Sequence, residues 1–335
     1  MSIASDEFGG APPKERPGPV YRLRVAGSGL GDRLFESLSA GMAFLVLLVL
    51  GGAALAMLWG GMLAFKTFGL SFIYSSNWDA VNLKFGAFVP IYGTIVTSAI
   101  AIAIAVPISL GISIFLTELA PRWLRGPIGT AIELLAAVPS IIYGMWGLFV
   151  FVPFVATYIE PWMNEHLGSL PVIGQFFTGP PIGIGMLTAG VILAIMIIPF
   201  ITAVMRDVFT AVPDSLKESA HALGSTTWEV VRHVSLPYTR TAVVGAIFLG
   251  LGRALGETMA VTFVLGNAHD FSTSLLMPGN SIAAAIANEF TEADSPLYTS
   301  SLIALGFLLF VVTFIVLALA KLMLARIGRL DGAKA

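Results

Sequence analysis

Arg253 and Glu257 stand four residues apart near the centre of an apolar run covering residues 241–266. In a helix rising 1.5 Å per residue, roughly 18 Å separates the arginine from either end of that run. Its side chain can snorkel only a few ångströms and so reaches neither headgroup layer. A charge at mid-membrane costs at least ~2.5 kcal/mol on the lenient insertion scale, and such charges mark ion or substrate paths. A guanidinium suits an anion there, because its fork matches phosphate-like oxygens and it stays charged throughout. Helical spacing puts Ala246, Gly250, Arg253, Gly256, Glu257 and Ala260 on one face, with Phe248, Leu251 and Leu255 opposite. Small residues beside a charge permit close helix approach, and Gly252 and Gly256 have the spacing of a contact pair. The charged face is therefore expected to point into a helical bundle. Two roles fit the pair. Either it is a structural i,i+4 pair whose members cancel each other's burial, or Glu257 holds Arg253 until a passing oxyanion displaces or shares it. Buried pairs are often no more stabilising than apolar replacements, which favours the second role.

The rest of the chain must supply the membrane spans around that path. Of 335 residues, 56% are hydrophobic and 11% charged, with mean hydropathy +0.88. Soluble domains carry about 25% charged residues. The chain reads as an all-α, polytopic membrane protein with six transmembrane helices, at 40–64, 91–116, 128–154, 182–204, 241–266 and 302–325. Pro139 and Gly144 interrupt the third run, and Pro107 and Pro199 lie inside others, as membrane helices tolerate when neighbours satisfy the freed carbonyls. Residues 1–38 are polar and Gly/Pro-rich without an early apolar stretch, so they read as a tail, ending in a short amphipathic approach at 30–38, rather than a cleavable signal. There is no cysteine, and His166, His221, His233 and His269 lack any paired metal-binding spacing. No catalytic or metal-ligating residue is assigned.

The basic residues orient the spans. With the N-terminus in the cytoplasm, all of the 18 lysines and arginines except Lys66, Lys84 and Arg253 fall on the inner side. These are Lys14, Arg16, Arg22, Arg24 and Arg33 in the tail, Arg122 and Arg125 after the second span, Arg206, Lys217, Arg232 and Arg240 after the fourth, and Lys321, Arg326, Arg329 and Lys334 at the end. The expected topology has both termini inside. The outer loop at 65–90 carries Phe68, Phe72, Tyr74, Trp78, Phe85 and Phe88, suited to an interfacial aromatic belt or to docking an external partner. Glu133, near the inner end of the third run, is a second buried-acid candidate, either accepting hydrogen bonds at a helix start or touching substrate.

The inner loop at 206–240 predicts two short helices. The first opens with Pro213 in its first turn, where the missing N–H costs nothing, and stops at Gly224, a left-handed C-cap. Thr226 then precedes Glu229 by three residues, a capping box, and the second helix is expected to end near Ser235, before Leu236 and Pro237. Such a pair either lies on the membrane surface or forms a knob that a cytosolic partner can push.

Glu218-Ser219-Ala220, three residues, Gly224, nine residues, then Val234-Ser235-Leu236-Pro237 resembles the EAA loop of type I ABC importer permeases. Their pattern is E-A-A, three residues, G, nine residues, I-x-L-P, from which this chain departs at Ser219 and Val234. The resemblance implies that Glu218, Ala220, Gly224, Leu236 and Pro237 belong to a coupling segment that fits a groove on an ATPase subunit. The chain has no G-x-x-x-x-G-K-[S/T] loop to cradle nucleotide phosphates, so ATP and Mg are expected on that partner and no cofactor here.

The stretch 252–267, GRALGETMAVTFVLGN, resembles the fifth-span signature of the phosphate permeases (PstC-type). So do Asn77-Trp78-Asp79 with Phe85-Gly86, Tyr92-Gly93-Thr94, and 133–144, ELLAAVPSIIYG. Sulfate and molybdate permeases share the arginine followed by A-L-G-E, so another tetrahedral oxyanion is the alternative. The resemblance implies the type I importer fold, with a tail at 1–38, a first helix and periplasmic loop at 39–90, a permease domain at 91–326 and a tail at 327–335. It implies a second, PstA-like permease, a PstB-like ATPase dimer and a periplasmic PstS-like binding protein, with phosphate as cargo, lipid around the spans and no nucleic acid. Arg253 and Glu257 would line the pathway, with Glu133 as a secondary contact. A membrane enzyme acting on phosphorylated lipid, with Arg253 clamping the headgroup, is a distant third reading, since the chain lacks an acidic metal cluster or nucleophile–base pair for it.

Overall fold

The computed structural model describes the backbone of residues 30–332 and the side chains of 31–324. The tail cations Lys14, Arg16, Arg22 and Arg24, and the side chains of Arg326, Arg329 and Lys334, lie outside the described residues. The chain divides into two units, Met1–Ala53 and Ala54–Ala335. In the first, residues 31–53 form helix, exposed throughout; the expected approach at 30–38 is continuous with the first span, with no break between them.

Six helices are long and apolar enough to cross a membrane: Gly31–Gly60, Phe88–Leu119, Ser140–His166, Met186–Thr210, Thr227–Leu255 and Pro296–Leu324. No strand is named among the described residues, only two isolated bridges. Runs without internal water can satisfy their backbone only as helices, which is why hydropathy finds the number of spans.

The fourth span is the axis of the second unit. Of its apolar window 61% is buried, against 28% or less for each other span. Ile192, Leu193, Met196, Ile197, Ile201 and Met205 on it pack with Ala101 and Ala105 of the second span and Ala246 and Ala254 of the fifth. Close approach of the fifth span depends on Gly250, where a Cβ would lie 2.5 Å from Ile201 Cδ1. Within this chain Gly252 and Gly256 do not together face one neighbouring helix. A Cβ at Gly252 would meet Leu317 only at 3.7 Å, and one at Gly256 would meet nothing beyond its own helix.

Two span boundaries differ from expectation. The third run does not begin its crossing near residue 128. Arg122–Ala136 is a separate helix with Gly129 and Ile132 as its buried residues, and the crossing starts at Ser140. Pro139 cannot donate a backbone bond and sits extended, with ψ at 134°, so the helix must end before it. Gly144 lies inside the new helix and does not interrupt it. Pro153 is accommodated between two widened π-turns, Gly147–Phe151 and Val155–Ile159. The fifth run breaks at its centre. Its helix ends at Leu255, and a short helix, Met259–Leu265, resumes after Gly256, Glu257 and Thr258.

The aromatics expected to form a belt at 65–90 are mostly internal. Phe72 and Phe85 are 0% and 3% exposed and pack with Tyr298, Leu302 and Leu305 in a second cluster, with Phe68 and Trp78 against it. Tyr74 is the exposed exception at 70%.

Candidate functional site

The break at the end of the fifth span governs the surroundings of both charges, Arg253 and Glu257. A helix that stops inside an apolar layer leaves orphan carbonyls at its C-terminal end and orphan N–H groups where the next begins. Arg253 sits in the last turn before the break, where a cation complements the negative helix end. Glu257 sits in the break and accepts the N–H of Ala260 at 3.2 Å, capping the short helix that follows. The two side chains therefore serve opposite helix ends. Among the described residues no ion pair joins them, which corrects the expected i,i+4 contact and with it the idea that Glu257 holds Arg253 in reserve. The physical reason is the break itself, since residues 253 and 257 no longer share one helical face.

Arg253 is half-buried, and its guanidinium lies 5.2 Å from the ring centroid of Phe200 on the fourth span. No hydrogen bond to its guanidinium donors is found among the described residues. The face of an aromatic ring attracts a cation but uses up none of its N–H donors, so the fork stays available to oxygens arriving from outside the chain. Phe200 was not singled out from sequence. The available signal was an aromatic directly after Pro199, inside an apolar span that could face Arg253.

Glu133 is neither buried nor near that break. Its side chain is 55% exposed and pairs with Arg206 at the end of the fourth span, while Arg206 also reaches Asp207 at 3.4 Å. The sequence placed Glu133 inside a span because the 128–154 run was read as one helix. On the separate Arg122–Ala136 helix it instead ties that helix to the fourth span. A second pair at this end, Lys217 to Glu118 at 2.7 Å, is more enclosed, with side chains 15% and 10% exposed. It fastens the 214–222 helix to the end of the second span, and sequence reasoning missed it because the partners lie 99 residues apart.

The loop that carries Glu218, Ala220 and Gly224 is built from local signals. Asp214–Ala222 is a helix with Pro213 at its N-cap, one position before the expected first turn. Gly224 has φ +90°, its N–H reaches His221 O at 2.9 Å, and Ser225 N–H reaches Ala220 O at 3.2 Å. Together these form a Schellman motif. Thr226 and Glu229 complete the capping box. Leu236 and Pro237 do not end the second helix as expected. It continues through a π-turn at Val231–Ser235 into the fifth span, the wide turn making room for the proline ring. Leu223 and Trp228 are 89% and 62% exposed at the tip of this loop, and Glu218 is exposed beside them.

At the opposite end of the second unit, Glu289 collects the donors of three segments. Trp78 Nε1 and Tyr298 OH donate to it at 2.7 and 2.6 Å, and His269 Nε2 lies 2.8 Å away. Burial pushes its carboxyl up, but hydrogen bonds from His269, Tyr298 and Trp78 outweigh that and hold it below the usual glutamate value. No motif in the sequence announced this node.

Residues 108–329 match the family described as "Binding-protein-dependent transport system inner membrane component". The chain is 60% identical over 321 residues to the "Phosphate transport system permease protein PstC" of Xylella fastidiosa (strain Temecula1), covering 96% of this chain and 98% of that one. It is 54% identical to the protein of the same name from Haemophilus influenzae, covering 90% of this chain and 95% of that one. Among solved structures, a chain of a bacterial alginate ABC transporter in complex with an alginate-bound periplasmic protein superposes with TM-score 0.57 over 89% of this chain and 96% of that one. At 16% identity that likeness speaks to fold alone. With six spans and these relatives, the chain is a multi-pass membrane protein that belongs to the binding-protein-dependent transport system inner membrane components, in their PstC branch.

Proposed function

We propose that this chain forms one half of the transmembrane path of an ATP-driven importer of inorganic phosphate. One observation carries the reading: Arg253 sits in the last turn of the fifth span, beside the helix break, with no carboxylate paired to it among the described residues and its guanidinium 5.2 Å from the ring centroid of Phe200. A fixed cation with unused donors lowers the barrier for an oxyanion crossing an apolar layer, and its fork suits tetrahedral oxygens. Broken helices around a midplane site are a recurrent way for transporters to expose backbone dipoles to an ion. The names of relatives at 54–60% identity support phosphate as the cargo.

A component of such a system works in a complex with other permease, ATPase and binding-protein subunits. The particular partners are a second, PstA-like permease across the path, two PstB-like ATPase subunits that hold ATP and Mg, and a PstS-like protein that delivers phosphate. The exposed Leu223 and Trp228, on a loop stiffened by its caps, support docking of an ATPase against the 214–224 segment. The charge distribution supports a bacterial inner-membrane location with both termini in the cytoplasm, which puts the 206–240 loop inside and the Glu289 node outside. Closure of the ATPase pair would push the 214–224 segment, rock the spans and turn the Arg253 region from one side to the other.

The test is uptake of labelled phosphate, sulfate and molybdate by a strain lacking its own phosphate permease and carrying this chain with its partners. Wild type is expected to restore phosphate uptake alone, and Arg253→Gln to abolish it while the complex still co-purifies. Full phosphate uptake by the variant would remove the anion path from Arg253. Uptake of sulfate in preference to phosphate would reassign the cargo.

A further inference from the structure

Where the second and fourth spans end, the second unit opens a cleft of about 470 Å³, lined by Thr117, Arg125, Arg206, Thr210, Asp214 and Lys217 among others. That volume falls in the ordinary range for small-ligand sites, about 300–1,000 Å³. Four elements meet there: the last turns of the two spans, the Arg122–Ala136 helix and the start of the 214–222 helix. Its depth is that of lipid head groups. Thr117 and Thr210 stand at the ends of apolar spans. Trp123, on the helix of Arg125, is 74% exposed, and tryptophan collects at the membrane–water boundary.

The charges lining the cleft are of two kinds. Arg206 and Lys217 are already matched, by Glu133 and by Glu118. Arg125 and Asp214 are not, since among the described residues neither takes part in an ion pair. Arg125 Nε donates to Ala120 O at 2.8 Å, which orients the guanidinium and leaves its terminal N–H groups without an acceptor among the described residues. One unmatched cation and one unmatched anion thus border the same space.

The hydroxyls narrow the ligand further. Thr117 Oγ1 donates to Ser113 O at 2.9 Å, and Thr210 Oγ1 to Arg206 O at 2.8 Å. With their protons committed, both oxygens can only accept. A free phosphate would suit Arg125, but it would also meet the Asp214 carboxylate and two oxygens with no proton to give it. A molecule carrying a phosphodiester and an N–H-bearing ammonium on a short link suits every one of these groups.

We propose that this cleft binds the head group of a zwitterionic phospholipid with a primary amine. The phosphodiester takes the free N–H groups of Arg125 as a fork, and the ammonium donates to Asp214 and the threonine oxygens. The lipid then bridges the 214–222 helix to the ends of two spans and braces the segment that carries Glu218. The assignment needs only that the chain spans a membrane, and it holds whatever the cargo is.

The experiment uses the complex purified with its partner subunits and stripped of lipid. Phosphatidylethanolamine, phosphatidylglycerol, which lacks the amine, and phosphatidylcholine, whose ammonium has no N–H, are added in detergent. Native mass spectrometry reads the lipid bound, and thermal unfolding reads its effect. Wild type is expected to bind phosphatidylethanolamine about tenfold more tightly than either other lipid, since only it makes both charge-assisted contacts. Its thermal midpoint is expected to rise with that lipid bound. Arg125→Gln is expected to weaken phosphatidylethanolamine and phosphatidylglycerol alike, by about tenfold. Asp214→Asn is expected to weaken phosphatidylethanolamine alone, down to the level of phosphatidylglycerol, a selective loss that misfolding does not produce. Equal binding of the three lipids by wild type, or a preference that survives Asp214→Asn, overturns the proposal. Displacement of phosphatidylethanolamine by inorganic phosphate in wild type but not in Arg125→Gln makes the cleft a free-anion site and overturns it too. None of these outcomes bears on the importer reading, which uptake decides.

Discussion

Two arginines on neighbouring spans answer burial in opposite ways. Arg206, near the C-terminal end of the fourth span, is clasped by Glu133 and approached by Asp207. Arg253, at the break in the fifth, has no ion pair among the described residues and lies against the ring of Phe200. Magnitudes show that the second arrangement can persist. A mid-membrane cation costs at least ~2.5 kcal/mol, a desolvated cation–π contact returns about 2 kcal/mol, and the adjacent negative helix end adds up to about 1 kcal/mol. The arginine is thus close to balanced without a counter-ion. Among the described residues, carboxylates stand on the arginine and lysine that join elements, and none is paired with Arg253, the cation proposed to meet the anion.

The largest effect separates the two roles by uptake and stability together. Arg253→Gln is expected to bring uptake to background while the thermal midpoint of the purified complex holds or rises, because removing an unpaired buried charge relieves desolvation. Arg206→Gln is expected to do the reverse, lowering the midpoint through the loss of a partly exposed pair worth about 1 kcal/mol and leaving uptake measurable. If Arg253→Gln melted the complex instead, Arg253 would be a structural cation like Arg206, and the contrast would collapse.

The comparison extends to Lys217 and Glu118, the most enclosed of the joints at this end. Lys217→Met leaves the Glu118 carboxylate 10% exposed and unpaired, and breaking a buried pair on one side costs about 3 kcal/mol or more. Thermal unfolding of the complex should register that loss, and transport per ATP hydrolysed should fall, because this pair ties the 214–222 helix to the second span. The exchanged pair, Lys217→Glu with Glu118→Lys, should recover most of both. A swap that restores the midpoint but not the transport ratio would limit the pair to packing.

What could be read from the sequence was what neighbouring residues decide. Gly224 in its left-handed turn and the Thr226 to Glu229 box depend on residues within a few positions, and both were anticipated from spacing. The number of spans follows from the backbone's intolerance of lipid and was equally plain. What stayed hidden depends on distant packing. Hydropathy counts apolar residues over a window and is blind to a break of three, so 241–266 read as one helix and placed Arg253 and Glu257 on one face. In the fold Ala260, Val261, Val264 and Leu265 are all buried by neighbouring spans, and that packing fixes a separate Met259–Leu265 helix beyond the break. Glu133 and Glu118, which pair with Arg206 and Lys217, lie 73 and 99 residues away in sequence, beyond any local pattern.

Glu257 gives the smallest and sharpest test, because the two accounts of it disagree in sign. If it were the counter-ion of Arg253, neutralising it would free the guanidinium, and phosphate would bind more tightly. As a cap it has one task, to accept the Ala260 N–H at 3.2 Å, and a glutamine carbonyl can do the same. Glu257→Gln is therefore expected to leave half-saturating phosphate within about twofold of wild type and to cost only a few tenths of a kcal/mol, while Glu257→Leu loses the cap and about 1 kcal/mol. Transport in proteoliposomes across a range of phosphate concentrations, with thermal midpoints of the same preparations, reads both quantities. A tenfold tightening in Glu257→Gln would return the pair to partnership, since a residue that only caps a helix has no reason to compete with the cargo.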